Sequence, residues 1–199
     1  LKAGESYYLT KPFTSDILHS VVKTTIRDRG FNKAILASLN VTKSSVKLLK
    51  DATFEFRSLN DVAAVSSLIA CTCDEPENIA MGLSELMINA IEHGNLQIGY
   101  TEKSDLRKNG LWESEIAHRL EMPEFKERYA SVDVLNEAEK VTFTITDQGN
   151  GFEWDGFMDF DASRVMDNHG RGIAMANKLY FSNLKYEGKG NKVTVMVEK

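Results

Sequence analysis

The stretch Ser84-Glu85-Leu86-Met87-Ile88-Asn89-Ala90-Ile91-Glu92-His93-Gly94-Asn95 constrains this chain more than any other. It reads as the end of a helix with one apolar and one chemical face. At about 100° per residue, Leu83, Leu86, Met87 and Ala90 gather on one side. Glu85, Asn89 and Glu92 gather on the other, with His93 at its edge. Glu85 and Asn89 are four apart, so their side chains project together. A carboxylate can take a proton or orient a water, and a neutral amide oxygen can ligate a hard cation. Gly94 then reads as a helix stop. Taken alone, the same pattern also describes a solvated stripe over a core-facing helix, so the rest of the chain decides between the two.

The formal net charge of −5 argues against a general nucleic-acid binder, which needs a basic face to neutralise phosphates. No apolar run approaches the length of a membrane span and no signal peptide is visible, so no membrane partner is expected. Cys71 and Cys73 are expected to be reduced thiols in or near the core, with no histidine close in sequence to complete a metal site. That cysteine usage points to the cytosol.

Hydrophobic patterning divides the chain. Tyr7-Tyr8-Leu9 is strand-like, Pro12 interrupts it, and Ile17, Leu18, Val21, Val22 and Ile26 recur at helical spacing after a cap at Thr14 or Ser15. A second helical pattern runs through Ile35, Leu36 and Leu39. Residues 42–50 read as a linker or polar helix end. Thr53 to Arg57 alternates as a half-buried strand does. Asn60 or Asp61 is the expected cap of a helix through Val65, Leu68 and Ile69. Asp74-Glu75-Pro76-Glu77 has capping-box spacing and a proline for the first turn of the next helix. Residues 101–129 are charged and weakly periodic and read as a surface insertion, with a short helix at Trp112 to Leu120. Strands follow at Ser131–Leu135 and Val141–Thr146, and Leu184–Glu187 with Lys192–Val197 form a closing hairpin around Gly188 and Gly190. The predicted class is α+β, a two-layer sandwich with a mixed, largely antiparallel sheet and helices on one face.

Two glycine pairs sit at element boundaries. Strand Val141–Thr146 runs into Asp147-Gln148-Gly149-Asn150-Gly151-Phe152, where glycines allow a tight turn and close approach to the backbone. An aspartate there can accept a hydrogen bond from the exocyclic amine of a base. Further on, Asn168-His169-Gly170-Arg171-Gly172 opens a helix through Ile173, Met175, Ala176 and Leu179, and a helix start favours phosphate. The intervening segment, with Trp154, Asp155, Phe157, Asp159, Phe160 and Asp161, has the character of a mobile cover.

Each pair is weak evidence by itself, but the order E-x-x-x-N, D-x-G-x-G, G-x-G over residues 52–199 resembles the GHKL ATPase superfamily, which includes gyrase, histidine kinases and mismatch-repair ATPases. S-E-x-x-x-N-A-x-x-H-G is most similar to the anti-sigma-factor serine kinases of bacterial partner-switching systems. The resemblance implies the Bergerat ATP-binding fold, with ATP and Mg²⁺ as cofactors. It implies Glu85 as general base, Asn89 as Mg²⁺ ligand and Asp147 as partner of the adenine amine. Gly149 and Gly151 would let the chain pass close to the nucleotide, and Gly170, Arg171 and Gly172 would lie in or beside a phosphate-covering lid. His93 would face the phosphates or serve in capping and packing. Relatives bind adenine through water with a Gly-Thr pair on the last hairpin; Gly190-Asn191 stands there in this chain, and asparagine can still bond a water.

Ala3 to Phe13 resembles the last strand of a response-regulator receiver domain, with Lys11-Pro12 at the strand end and an aromatic at Tyr8. Residues 1–30 are therefore expected to be the tail of a receiver, followed by a linker at 31–51 and the ATPase domain at 52–199. The resemblance implies an ATP-dependent serine/threonine kinase acting on a STAS-type anti-sigma antagonist, with a sigma factor as a further partner and dimers common among relatives. A module that binds nucleotide only to gate partner binding has the same sequence features. A sensor histidine kinase needs a phosphoacceptor histidine with an acidic neighbour, which Leu18-His19-Ser20 lacks.

Overall fold

The computed structural model describes residues 43–154 and 172–199, together with the isolated positions Ser15, Leu18 and Val22. The receiver-like segment, the lid residues Gly170 and Arg171, and most of the predicted cover fall outside them. A short helix α1 (Lys43–Val46) occupies part of the predicted linker. Then come β1 (Asp51–Phe56), α2 (Leu59–Ala70) and α3 (Pro76–Asn89), which continues without a break into a wide π-helical turn, Ala90–Asn95. Helices α4 (Tyr100–Asn109) and α5 (Trp112–Glu121) precede β2 (Ala130–Asn136) and β3 (Lys140–Thr146). A single turn α6 (Gly172–Met175) runs into a second π turn, Ala176–Tyr180, and the hairpin β4 (Asn183–Glu187) and β5 (Lys192–Glu198) closes the sheet.

The sheet has the order β1-β2-β3-β5-β4, and every described pair is antiparallel. Alternation along the strands makes its two faces chemically distinct. One row across the sheet carries Val132, Ile145, Val193 and Tyr186, and the next carries Val134, Phe143, Val195 and Leu184; all eight are buried. The opposite face is polar: Thr53 donates to Asp133 at 2.6 Å, and the hydroxyls of Thr144 and Thr194 lie 3.3 Å apart. The described helices therefore pack on the apolar face, which is the α+β sandwich the patterning predicts. Leu83, Leu86 and Met87 of α3 are fully buried in that core, each contributing roughly 1.5–3 kcal/mol.

Local chemistry sets the helix starts, with two differences from the sequence expectation. The cap of α2 is Ser58 rather than Asn60 or Asp61. Its hydroxyl accepts from the Asp61 N–H at 3.1 Å, while the Asp61 carboxylate accepts from the backbone N–H groups of Ser58 and Arg57. Those two bonds and the serine hydroxyl hold the Asp61 carboxyl below its ordinary range against the opposing effect of burial. Helix α3 begins with Pro76 in its first turn but has no side-chain cap bond at Glu75, whose carboxylate instead accepts from the Asn78 amide at 3.0 Å. Cys71 and Cys73, just past α2, are buried thiols outside any disulfide among the described residues, and burial pushes Cys73 up to about 11.

Residues 101–129 do not lie wholly at the surface. Trp112, Ile116 and Phe125 enter the core, and Arg57 ties the segment to the end of β1 by donating to the carbonyls of Arg128 and Leu120, each at 3.1 Å. At the other side of α3, the second π turn passes so close that a Cβ at Gly82 would lie 2.8 Å from the ring of Phe181 and 2.9 Å from the Cβ of Tyr180.

Candidate active site

Glu85 is exposed on α3 and Asn89, one turn on, is half-buried. No hydrogen bond to another described residue occupies either side chain. Tyr180 lies within the field of Glu85: burial raises its phenol above the ordinary range and the carboxylate raises it further, so the hydroxyl stays protonated.

Glu92 does not share that exposed stripe. The helix widens after Asn89, with the Leu96 N–H bonding the Ile91 carbonyl five residues back at 2.8 Å. The extra residue in the turn brings Glu92 inward, where it is fully buried. Its carboxylate accepts from the indole N–H of Trp112 at 2.8 Å and from the Lys103 ammonium. His93 Nε2 lies 3.0 Å from the same carboxylate. Its Nδ1 donates to the Ile98 carbonyl at 2.6 Å. Both ring nitrogens thus have protein partners, which is the packing arrangement. Burial pulls the imidazole below its ordinary range; the Ile98 carbonyl opposes this and the Arg107 charge adds to it.

Gly94 does not stop the helix. Its φ is not positive and the turn continues to Asn95. Its missing side chain leaves room for Asp147: a Cβ there would lie 2.4 Å from the Asp147 Cγ. A Cβ at Gly149 would likewise meet the Gly94 carbonyl oxygen at 2.4 Å. Asn95 completes the joint by accepting from the Gln148 N–H at 2.8 Å. The helix of Glu85 and Asn89 and the loop of Asp147, Gly149 and Gly151 are therefore interlocked through their backbones.

Asp147 sits in this joint with Oδ1 accepting from the Gly149 N–H at 2.7 Å. Burial raises its pKa to about 6, although the Gly149 N–H and the Lys189 charge pull the other way. Oδ2 is the oxygen left to face an incoming donor. Asn191 lies directly behind: its side-chain N–H₂ donates to the Asp147 backbone carbonyl and its backbone carbonyl accepts from the Asp147 N–H, both at 3.0 Å. Its amide thus supports the aspartate loop from the last hairpin.

The same loop closes against that hairpin. Gly151 has φ +80°, and a Cβ there would fall 1.9 Å from the Lys189 carbonyl oxygen. The Lys189 ammonium reaches back to the Gly149 carbonyl at 3.0 Å. Trp154, assigned by sequence to a mobile cover, stacks on Tyr186 at 5.8 Å, and Phe152 meets that ring edge-on at 5.3 Å. Gly172 is the first residue of α6. Lys103, Trp112, Gln148, Tyr180 and Lys189 were missed by the sequence reading; a tryptophan in an otherwise charged stretch was the one local signal for any of them.

These features fit an adenine nucleotide with a hard cation. Asp147 offers a desolvated carboxylate with one oxygen unspent, glycines clear the space around it, and Asn89 offers a neutral oxygen donor beside Glu85. Among the described residues, no three His, Cys, Asp or Glu side chains gather as a metal site, and no helix is long and apolar enough to cross a membrane. A search of curated proteins returns no match. The family model for the histidine kinase-like ATPase domain matches residues 56–197, from the end of β1 to the last strand. With the E-x-x-x-N helix and the D-x-G-x-G loop interlocked inside that span, the chain belongs to the family of histidine kinase-like ATPase domains.

Proposed function

We propose that this domain binds Mg-ATP and transfers its γ-phosphoryl group to a serine or threonine of a STAS-type anti-sigma antagonist, as the output domain of a response regulator. The observation that carries the reading is the Gly94–Asp147 joint, which couples the Glu85/Asn89 helix to a desolvated carboxylate with one oxygen unspent. Asp147 takes the adenine amine through Oδ2. Asn89 lends its amide oxygen to Mg²⁺. By their sequence pattern, Gly170, Arg171 and Gly172 would lie in or beside a phosphate-covering lid.

Bound Mg-ATP supplies the reactive phosphoryl group and the charge neutralisation that such transfers need. The protein then has to position and deprotonate. Glu85 accepts the proton of the substrate hydroxyl as that oxygen bonds to the γ-phosphorus. The bond from phosphorus to the β–γ bridging oxygen breaks, and ADP departs with its electron pair. Glu85 suits this role because it is exposed, with no bond to a described residue to displace. Tyr180, a protonated phenol in the field of that carboxylate, flanks the approach. The receiver-like sequence of residues 3–13 supports the response-regulator context, and the helix motif S-E-x-x-x-N-A-x-x-H-G supports the serine-kinase branch.

The test is transfer of label from radiolabelled ATP, with Mg²⁺, to candidate STAS-domain proteins, using the wild-type chain and Glu85→Ala. Label on a serine or threonine of one candidate, lost in the variant, is the expected result. Tight nucleotide binding without transfer or hydrolysis would instead leave a nucleotide-gated binding module.

A further inference from the structure

Four side chains from residues 100–129 converge on one turn. Lys103 of α4 and Trp112 of α5 both terminate on the buried carboxylate of Glu92. Arg119 of α5 donates to the Leu96 carbonyl at 2.9 Å, and Arg128 donates to the Asn95 carbonyl at 2.8 Å. Each partner sits in the wide turn Ala90–Asn95 or on the residue that closes it. Arg119 also pairs with Glu115 of its own helix and with Glu102 of α4, and the second pair joins α4 to α5. Arg107 lies over the Trp112 ring at 4.8 Å and packs on the face of the indole.

The other side of the same turn carries the seat of the base-reading carboxylate. Gly94 makes the space for Asp147, its carbonyl abuts Gly149, and Asn95 holds the Gln148 N–H. A fully buried carboxylate is stable only while its partners are in place, so the turn keeps its wide form as long as Lys103 and Trp112 hold Glu92. Rewinding to α geometry would turn Glu92 back toward solvent and carry Gly94 off Asp147.

We propose that Lys103 and Trp112 are positioning residues for nucleotide recognition: by holding Glu92 they fix the wide turn, and through Gly94 they set where Asp147 meets the base. The helical pair α4–α5 thereby tunes the choice of base without touching it. This inference rests on the nucleotide-binding reading above.

The experiment compares the wild-type chain with Trp112→Phe, which keeps the ring and removes only the N–H, and with the double variant Glu92→Gln/Lys103→Met, which removes both charges together. Far-UV circular dichroism and melting establish folding. Calorimetry then gives the affinities for Mg-ATP and for Mg-ITP, whose base carries an oxygen where adenine carries its amine. The expected result is folded variants that bind Mg-ATP about tenfold more weakly while Mg-ITP changes little, so that the preference for adenine narrows. Variants with a lower melting temperature but wild-type affinity and base preference would overturn the proposal and leave the network a packing feature. If the double variant does not fold, Trp112→Phe alone decides. A wild-type chain that binds neither nucleotide would overturn the nucleotide reading itself, and this inference with it.

Discussion

Gly94 and Asp147 occupy the same space in turn: the carboxylate of one stands where the side chain of any other residue at the first would begin, 2.4 Å from the built Cβ. The backbone of Gly94 also lies directly against Gly149, so helix and loop meet with no spare space between them. Gly94→Ala should therefore displace Asp147 and weaken Mg-ATP binding by at least about tenfold, a cost in line with losing a hydrogen bond to a charged group. Gly99→Ala is the control, because nothing lies within 4 Å of a Cβ there. Calorimetric titration of both variants checks this; equal affinities would show that the joint does not set the nucleotide site.

Asp147 gives two pH dependences of opposite sign. Its pKa in the folded protein is about 6, against an ordinary value of 3.8, so between those values the folded state holds more protons than the unfolded one. Stability from this group falls as pH rises through that window. Adenine binding runs the other way: Oδ1 is engaged by Gly149, a proton goes to Oδ2, and affinity drops as pH falls below about 6. His93, lowered from 6.5, costs stability as pH falls below its ordinary value. The difference between wild type and Asp147→Asn isolates the aspartate. Melting and nucleotide titrations at pH values spanning 4 to 7 should show both aspartate contributions absent from the variant, which keeps the stability slope of His93.

Gly151→Ala should cost more than about 2 kcal/mol of stability. The position combines φ +80° with a Cβ that would overlap the Lys189 carbonyl, and the Phe152 N–H bonds that same carbonyl at 2.9 Å. Chemical denaturation reads the loss directly. A variant as stable as wild type would mean that the loop can detach from the last hairpin at little cost.

Ser66 and Ser67 are neighbours on α2, both buried, with different prospects. The Ser67 hydroxyl donates to the Ala63 carbonyl at 2.6 Å, whereas the Ser66 oxygen is buried with no hydrogen-bond partner among the described residues. An unsatisfied buried hydroxyl costs roughly 1–3 kcal/mol. Ser66→Ala should thus melt at or above the wild-type temperature, and Ser67→Ala below it. A clear loss in Ser66→Ala would reveal a partner for that hydroxyl.

The strands were the most legible part of the chain because alternation is a local signal. Val141 to Thr146 and Ser131 to Leu135 each extend by only a residue or two in the structure. The proline start of α3 and its apolar face, Leu83, Leu86, Met87 and Ala90, were legible for the same reason. What escaped the sequence depends on partners far along the chain or on a change of helical pitch. Glu92 was assigned to the exposed stripe because the projection assumed a constant 100° per residue, and one wide turn breaks that assumption. Helix α4 has no hydrophobic stripe to find, since its buried residue is a lysine whose partner lies eleven positions back. The D-x-G-x-G motif was visible, but the glycine that makes room for its aspartate lies on another element and looked like a helix stop.

The wide turn after Asn89 also divides a single sequence motif into two independent halves. Spacing rules run from Glu85 to Asn89 and again from Glu92 to Asn95, but not across the junction, because the register of the helix slips there by one residue. Glu85 and Asn89 in the first half lead outward from the core, whereas Glu92 and Asn95 in the second meet the helical pair and the loop of Asp147. A deletion of one residue at Ala90 or Ile91 would rejoin the halves in a continuous spiral and exchange their surroundings. The length of this motif, no less than its residue types, is therefore part of what the chain encodes.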